Sequence, residues 1–116
     1  MHELQVTQLM LNVVLEHAQK HGVQKVLAVH LEIGKLKDFD QDWIQQYFDY
    51  LSKGTLAEGA KLKIEWIPVM LQCAGCSHSF EVDIKQLTEI NCPECAGTEC
   101  SMISGREYRV KQIEVV

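Results

Sequence analysis

Between Glu3 and His21, apolar side chains fall at Leu4, Leu11, Val14, Leu15 and Ala18, and Leu9, Met10 and Val13 widen the stripe. Recurrence at helical spacing predicts an amphipathic helix that starts almost at the first residue. Lys20 and His21 occupy its last turn, where cations complement the helix dipole, and Gly22 stands where a left-handed residue ends a helix. The pattern then changes period. Val26 to Ile33 is β-branched and mostly apolar, which predicts a strand ended by Gly34. A second helix is predicted from about Asp40 to Lys53, capped by Asp38 or Asp40, burying Trp43, Tyr47, Phe48 and Leu51 and ended by Gly54.

After the Glu58-Gly59 turn, Leu62, Ile64 and Trp66 alternate with Lys61, Lys63 and Glu65, as in a strand with one polar face. Pro68 breaks that strand and marks a domain boundary. Tyr108 to Val116 reads as a final strand. Two helices and two strands make a thin core, so the last strand is expected to return and complete a three-stranded sheet. Residues 1–68 and 105–116 then form one α/β domain, and residues 69–104 form an inserted module. The class is α+β.

The 116 residues suit one ordinary domain, or a small domain plus a module stapled by metal. An apolar fraction of 47% and a charged fraction of 23% are those of a globular protein. No apolar run approaches membrane-spanning length and no secretory signal is evident, so a cytoplasmic location with no membrane partner is expected. Net charge is −5. Between Met70 and Cys100, Glu81, Asp83, Glu89, Glu94 and Glu99 face a single base, Lys85. Phosphate contacts need the opposite balance, so nucleic acid is a poor partner.

The inserted module carries two Cys-x-x-Cys knuckles, Cys73-Ala-Gly-Cys76 and Cys92-Pro-Glu-Cys95, with fifteen residues between them. Two knuckles at such spacing supply four thiolates, the common ligand set of structural zinc. The module is therefore expected to be zinc-ribbon-like, with no open metal position for substrate. A disulfide framework fits poorly in a reducing cytosol, and a thioredoxin-type pair would need one isolated motif. Rubredoxin-like iron has the same ligands and stands behind zinc. Cys100 is expected to be a small buried apolar residue rather than a ligand.

Met1-His2-Glu3 carries different chemistry. His is too large at the second position for methionine removal, so Met1 should keep its α-amine. That amine, the His2 amide nitrogen and the His2 imidazole can chelate one metal through fused rings. Such nitrogen-rich, square-planar ligation suits Ni(II) or Cu(II). The first amides of the helix lack intrahelical partners and are free to join. By residue type alone, however, a His at position 2 is an ordinary solvated end residue. His17 and His21, four apart, could chelate in vitro, but cations near a helix C-terminus explain them. His30 is expected to be packed or hydrogen-bonded, and His78 to lie on the module's surface. No Ser/His/Asp set, phosphate loop or Walker motif occurs, so no enzyme reading is supported.

Several short motifs occur together: the Met1-His2-Glu3 opening, Leu31-Glu-Ile-Gly34, Gly54-Thr55 with Glu58-Gly59-Ala60, both knuckles, and Ile113-Glu114-Val115 at the end. In this order and spacing the chain resembles the HypA/HybF family of nickel metallochaperones over essentially its whole length. The resemblance implies a nickel-binding α/β domain with an inserted zinc domain, and no enzymatic activity. It implies delivery of Ni(II) during maturation of [NiFe]-hydrogenase, and in some organisms to urease. The implied partners are a GTPase accessory protein, the hydrogenase large subunit and urease accessory proteins, the chain being a monomer or homodimer. His2, with the Met1 amine and adjoining amides, becomes the nickel site, with Glu3 beside it. Cys73, Cys76, Cys92 and Cys95 become the zinc site. Some relatives carry a His after each knuckle; here His78 follows the first, but Ala96-Gly97 follows the second. The competing classes are a zinc-ribbon interaction module without a second metal and an enzyme with a zinc-supported fold.

Overall fold

The computed structural model describes residues 2–86 and 89–116, with His2 described by its backbone alone. In chain order the elements are α1 (His2–Lys20), β1 (Val26–Gly34), a 3₁₀ turn (Lys35–Lys37), α2 (Gln41–Leu51), β2 (Lys61–Ile67), β3 (Val69–Cys73), β4 (Ser79–Val82), β5 (Cys100–Ser104) and β6 (Tyr108–Val115). They fall into two compact units. One comprises residues 1–32, 39–65 and 108–116, and the other residues 33–38 and 66–107. This is an α+β fold of two helices, a three-stranded sheet and a smaller cysteine-bearing sheet.

In the first unit the sheet order is β2-β1-β6, so the last strand does return to lie beside the first. Both helices pack together, and α1 also meets β6. Along α1 the buried face is Thr7, Met10, Leu11, Val14 and Ala18. Leu4, Leu9 and Val13, assigned to the apolar stripe by the sequence, are exposed. At about 100° per residue, Leu9 and Val13 rotate away from the line through Leu11 and Val14, and Leu4 sits at the start of the helix. The end of α1 is a Schellman motif: Val23 N–H donates to Ala18 O at 3.1 Å and Gly22 N–H to Gln19 O at 3.3 Å. Gly22 takes φ +65°, which favours glycine.

Helix α2 is capped by Asp40, whose Oδ1 accepts from Asp42 N–H at 2.9 Å and Trp43 N–H at 3.3 Å. Asp38 is instead the left-handed residue that closes the 3₁₀ turn. The buried face of α2 is Ile44 and Phe48. Trp43 is 51% exposed and stacks on Tyr47, which is half-buried, as is Leu51. The i, i+4 pair Ile44–Phe48 claims the core, and one residue of rotation turns the larger Trp43 outward. Ile44, Phe48, Leu11, Leu31 and Val29 are all fully buried. Burial of each such side chain stabilises the fold by about 1.5–3 kcal/mol.

Tyr108 anchors the returning strand. Its hydroxyl donates to Val6 O at 3.1 Å, and its ring meets Phe39 edge-on with centroids 6.0 Å apart. Burial pushes its phenol up to about 12. The polar side of this sheet is laced by cross-strand ion pairs. Glu114 accepts from His30 Nε2 at 2.6 Å and from Lys63 Nζ at 3.1 Å; Lys111 pairs with Glu65 at 3.5 Å and Arg109 with Glu32. His30 is thus the hydrogen-bonded residue that its place in a strand implied.

Candidate metal centres

The second unit places the cysteines on a three-stranded sheet of order β4-β3-β5, with β3 antiparallel to both neighbours. Strand β3 alternates Val69, Leu71 and Cys73 inward with Met70 and Gln72 between them. None of β3, β4 and β5 was assigned from sequence. The alternation Val69-Leu71-Cys73 was the available signal, hidden by Pro68 and by the short length of each strand.

Each knuckle closes in the same way. Ser77 N–H donates to Cys73 O at 2.9 Å and Cys73 N–H to His78 O at 2.9 Å. In the second knuckle Ala96 N–H donates to Cys92 O at 2.8 Å and Cys92 N–H to Gly97 O at 2.9 Å. The residue after each second cysteine, Ser77 or Ala96, is left-handed at φ +64° and +61°. Sequence reasoning missed both, because neither is glycine. Gly97 has a visible cause: a Cβ there would lie 3.2 Å from the sulfurs of both Cys73 and Cys95.

This repeated turn brings four sulfurs together. The Sγ atoms of Cys73, Cys76, Cys92 and Cys95 all lie within 4.8 Å of one another, with Cys73–Cys95 and Cys76–Cys92 at 3.5 Å. A tetrahedron with metal–sulfur bonds of about 2.3 Å has edges of about 3.8 Å, a length that lies between the two short separations and the outer limit of the cluster. Cys73 and Cys92 are buried, and Cys76 and Cys95 are exposed. The backbone N–H groups of Cys76 and Gly75 draw the Cys73 thiol down to about 7. At Cys76 the His78 N–H acts in the same direction, but the Cys92 thiol and burial outweigh it and push the group up to about 12. Four thiolates this close repel one another unless a cation compensates them, so the donor set is built for a metal.

Cys100 faces Cys73 across the β3–β5 pairing, half-buried rather than fully buried. Burial, then the neighbouring Cys73, raises its thiol. It stands outside the group of four, as expected. His78 is half-exposed and stacks on Phe80.

At the N-terminus, α1 begins at His2, and Glu3 lies in its first turn. Glu3 accepts at its own backbone N–H, which lowers its carboxyl below the ordinary range, and its carbonyl accepts from the Thr7 hydroxyl. The expected Met1 amine and His2 imidazole lie outside the described residues. Among the described residues no helix is long and apolar enough to cross a membrane.

The sequence model of HypA, described as hydrogenase/urease nickel incorporation, metallochaperone, matches residues 1–115. The chain belongs to the HypA family. It is 35% identical over 119 aligned positions to the hydrogenase maturation factor HypA of Methanothermobacter thermautotrophicus, covering 99% of this chain and 97% of that one. It is 35% identical to the hydrogenase maturation factor HybF of Salmonella typhimurium, covering 99% of each chain. Two solution structures share the fold. One is of a HypA protein, with TM-score 0.74 and 26% identity over 100% of this chain and 97% of the other. The second is of the Ni metallochaperone HypA from Helicobacter pylori, with TM-score 0.65 and 25% identity over 98% and 97%. Membership in HypA makes this chain a nickel metallochaperone of hydrogenase maturation, with a four-cysteine cluster that fits zinc.

Proposed function

We propose that this protein carries Ni(II) at its N-terminus and holds a structural Zn(II) on Cys73, Cys76, Cys92 and Cys95. The nickel donors are the Met1 α-amine, the His2 amide and imidazole, and adjoining amides, with Glu3 beside them. Nickel is cargo, delivered to the large subunit of [NiFe]-hydrogenase with a GTPase accessory protein, and to urease accessory proteins where these occur. The protein acts in the cytoplasm as a carrier and not as an enzyme. Residues 1–68 and 105–116 serve nickel, and residues 69–104 serve zinc.

The observation that supports this reading most is the start of α1 at His2. Helical structure from that residue leaves the His2 amide without an i−4 carbonyl to bond, so no intrahelical hydrogen bond competes with a metal for it. The family match across residues 1–115 supports nickel as the cargo. The four-sulfur cluster has no position left for exchangeable ligands once a tetrahedral ion is bound, which suits a resident ion.

The deciding experiment is metal stoichiometry and calorimetry on zinc-loaded protein. Untagged protein should bind one tight Ni(II). His2→Ala, or one extra residue ahead of Met1, should abolish tight binding and leave zinc content unchanged. Equal nickel affinity in untagged and extended protein would overturn the N-terminal site and favour an interaction module that holds zinc alone.

A further inference from the structure

The last turn of α1 carries metal-competent side chains that neither the N-terminus nor the cysteine cluster uses. His17 and His21 are four residues apart, both exposed and stacked, with ring centroids 6.2 Å apart and planes 7° from parallel, so that rotation of these exposed side chains is what would turn a nitrogen of each toward one ion. Spacing of four residues on a helix puts both imidazoles on one face, the arrangement by which paired histidines chelate a metal. They border a hollow of about 280 Å³ lined also by Val13, Val14, Val110, Lys111, Gln112 and Ile113.

Electrostatics favour a cation here. The Schellman turn at Gly22 ends α1 just past the pair, so a bound ion would sit at the negative end of a 19-residue helix. Lys111 also lines the hollow, but its ammonium is paired with Glu65 at 3.5 Å, which compensates part of its repulsion. Imidazole donors suit Ni(II), Cu(II) and Zn(II), and thiolate-free ligation leaves the zinc-bearing cluster in the other unit as the softer competitor for zinc.

We propose that His17 and His21 form a second Ni(II)-binding site, weaker and faster to exchange than the N-terminal one. Two side-chain donors leave the other coordination positions to water, without the fused chelate rings of an amine–amide–imidazole set. Choice of nickel rests on the carrier reading above; the imidazole pair itself does not depend on the N-terminus.

The test uses full-length, zinc-loaded protein with one extra residue ahead of Met1, titrated with Ni(II) alone. Calorimetry counts the equivalents, and NMR locates them through paramagnetic broadening of the imidazole resonances. One weak equivalent is expected, broadening His17 and His21 before His30 and His78. His17→Asn and His21→Asn should each weaken it by about tenfold or more, since loss of an outer-shell partner alone costs a metal site that much. Both positions are exposed, so circular dichroism of the variants should match the parent. Absence of nickel binding in the extended protein, uptake unchanged in the double variant, or broadening centred elsewhere would each overturn the site. In untagged protein His2→Ala should remove the tight equivalent and spare the weak one, so the two nickel readings fail separately.

Discussion

Gly34→Ala should be one of the most damaging single-methyl additions in this chain. A Cβ at Gly34 would lie 1.8 Å from the Gly105 carbonyl oxygen, 2.1 Å from its carbon and 2.6 Å from Arg106 N. All three are backbone atoms, so no side-chain rotation relieves the overlap, and real Cβ atoms essentially never approach closer than 3.0 Å. Gly34 itself has φ −70° and ψ 140°, a conformation alanine adopts freely. The cost is therefore steric contact, with no dihedral contribution. Separating the two segments would break the bonds from Gly34 N–H to Glu107 O at 2.7 Å and from Leu36 N–H to Gly105 O at 3.0 Å. Two lost backbone hydrogen bonds at about 1 kcal/mol each, with about 1–3 kcal/mol for a group left buried and unpaired, total about 3–5 kcal/mol. Urea unfolding of zinc-loaded protein, followed by amide exchange at Leu36, measures both the loss and its place. Stability within about 0.5 kcal/mol of the parent, the ordinary range of a surface substitution, with Leu36 still protected, would refute the argument.

Ala96→Gly should stabilise the second knuckle by about 0.5–1 kcal/mol, since a left-handed alanine is strained and glycine is not; slower zinc release to a chelator would report it, and faster release would contradict it. Glu114 titrates below the ordinary carboxylate value because His30 and then Lys63 donate to it. A depressed folded-state value means that this contribution is full at neutral pH and fades as pH falls through the acid range. Glu114→Gln should accordingly lower the urea midpoint at pH 7, the gap closing toward pH 3; a gap that is constant with pH would count against the ion-pair origin.

The helices were legible in the sequence because each carries its own stop and start: Gly22 and the apolar spacing of α1, and Asp40 ahead of α2. The cysteine cluster was legible too, since a knuckle is local chemistry and two of them at fixed spacing have few alternatives. Tertiary choices were less visible. Nothing in the spacing of Trp43, Ile44, Tyr47 and Phe48 says which pair the core accepts, because a stripe can rotate by one residue and stay apolar. Ile44 and Phe48 are chosen by the space available between α2 and its neighbours. The short strands β3, β4 and β5 are set by closure of the knuckles as much as by their own residues. Gly34 does end β1, as its sequence position implied, but the sequence did not show that its missing side chain also admits the backbone of Gly105.

The donor chemistry also separates the metals. Four sulfurs already gathered within 4.8 Å form a soft, closed site, in which a bound ion has every position filled and exchanges slowly. Nitrogen donors such as those proposed at the N-terminus make a harder, open site, and amide ligation releases protons on binding, so a partner or a fall in pH can recover the ion. A carrier requires that asymmetry: the resident ion must stay while the cargo leaves. In this chain the two donor sets are also separated along the sequence, with α1 in one compact unit and all four cysteines in the other. The proposed nickel donors and the sulfur cluster thus belong to different units. The proposed pair His17 and His21 lies at the other end of α1 from the proposed N-terminal site, and so in the unit to which the proposal assigns the mobile metal.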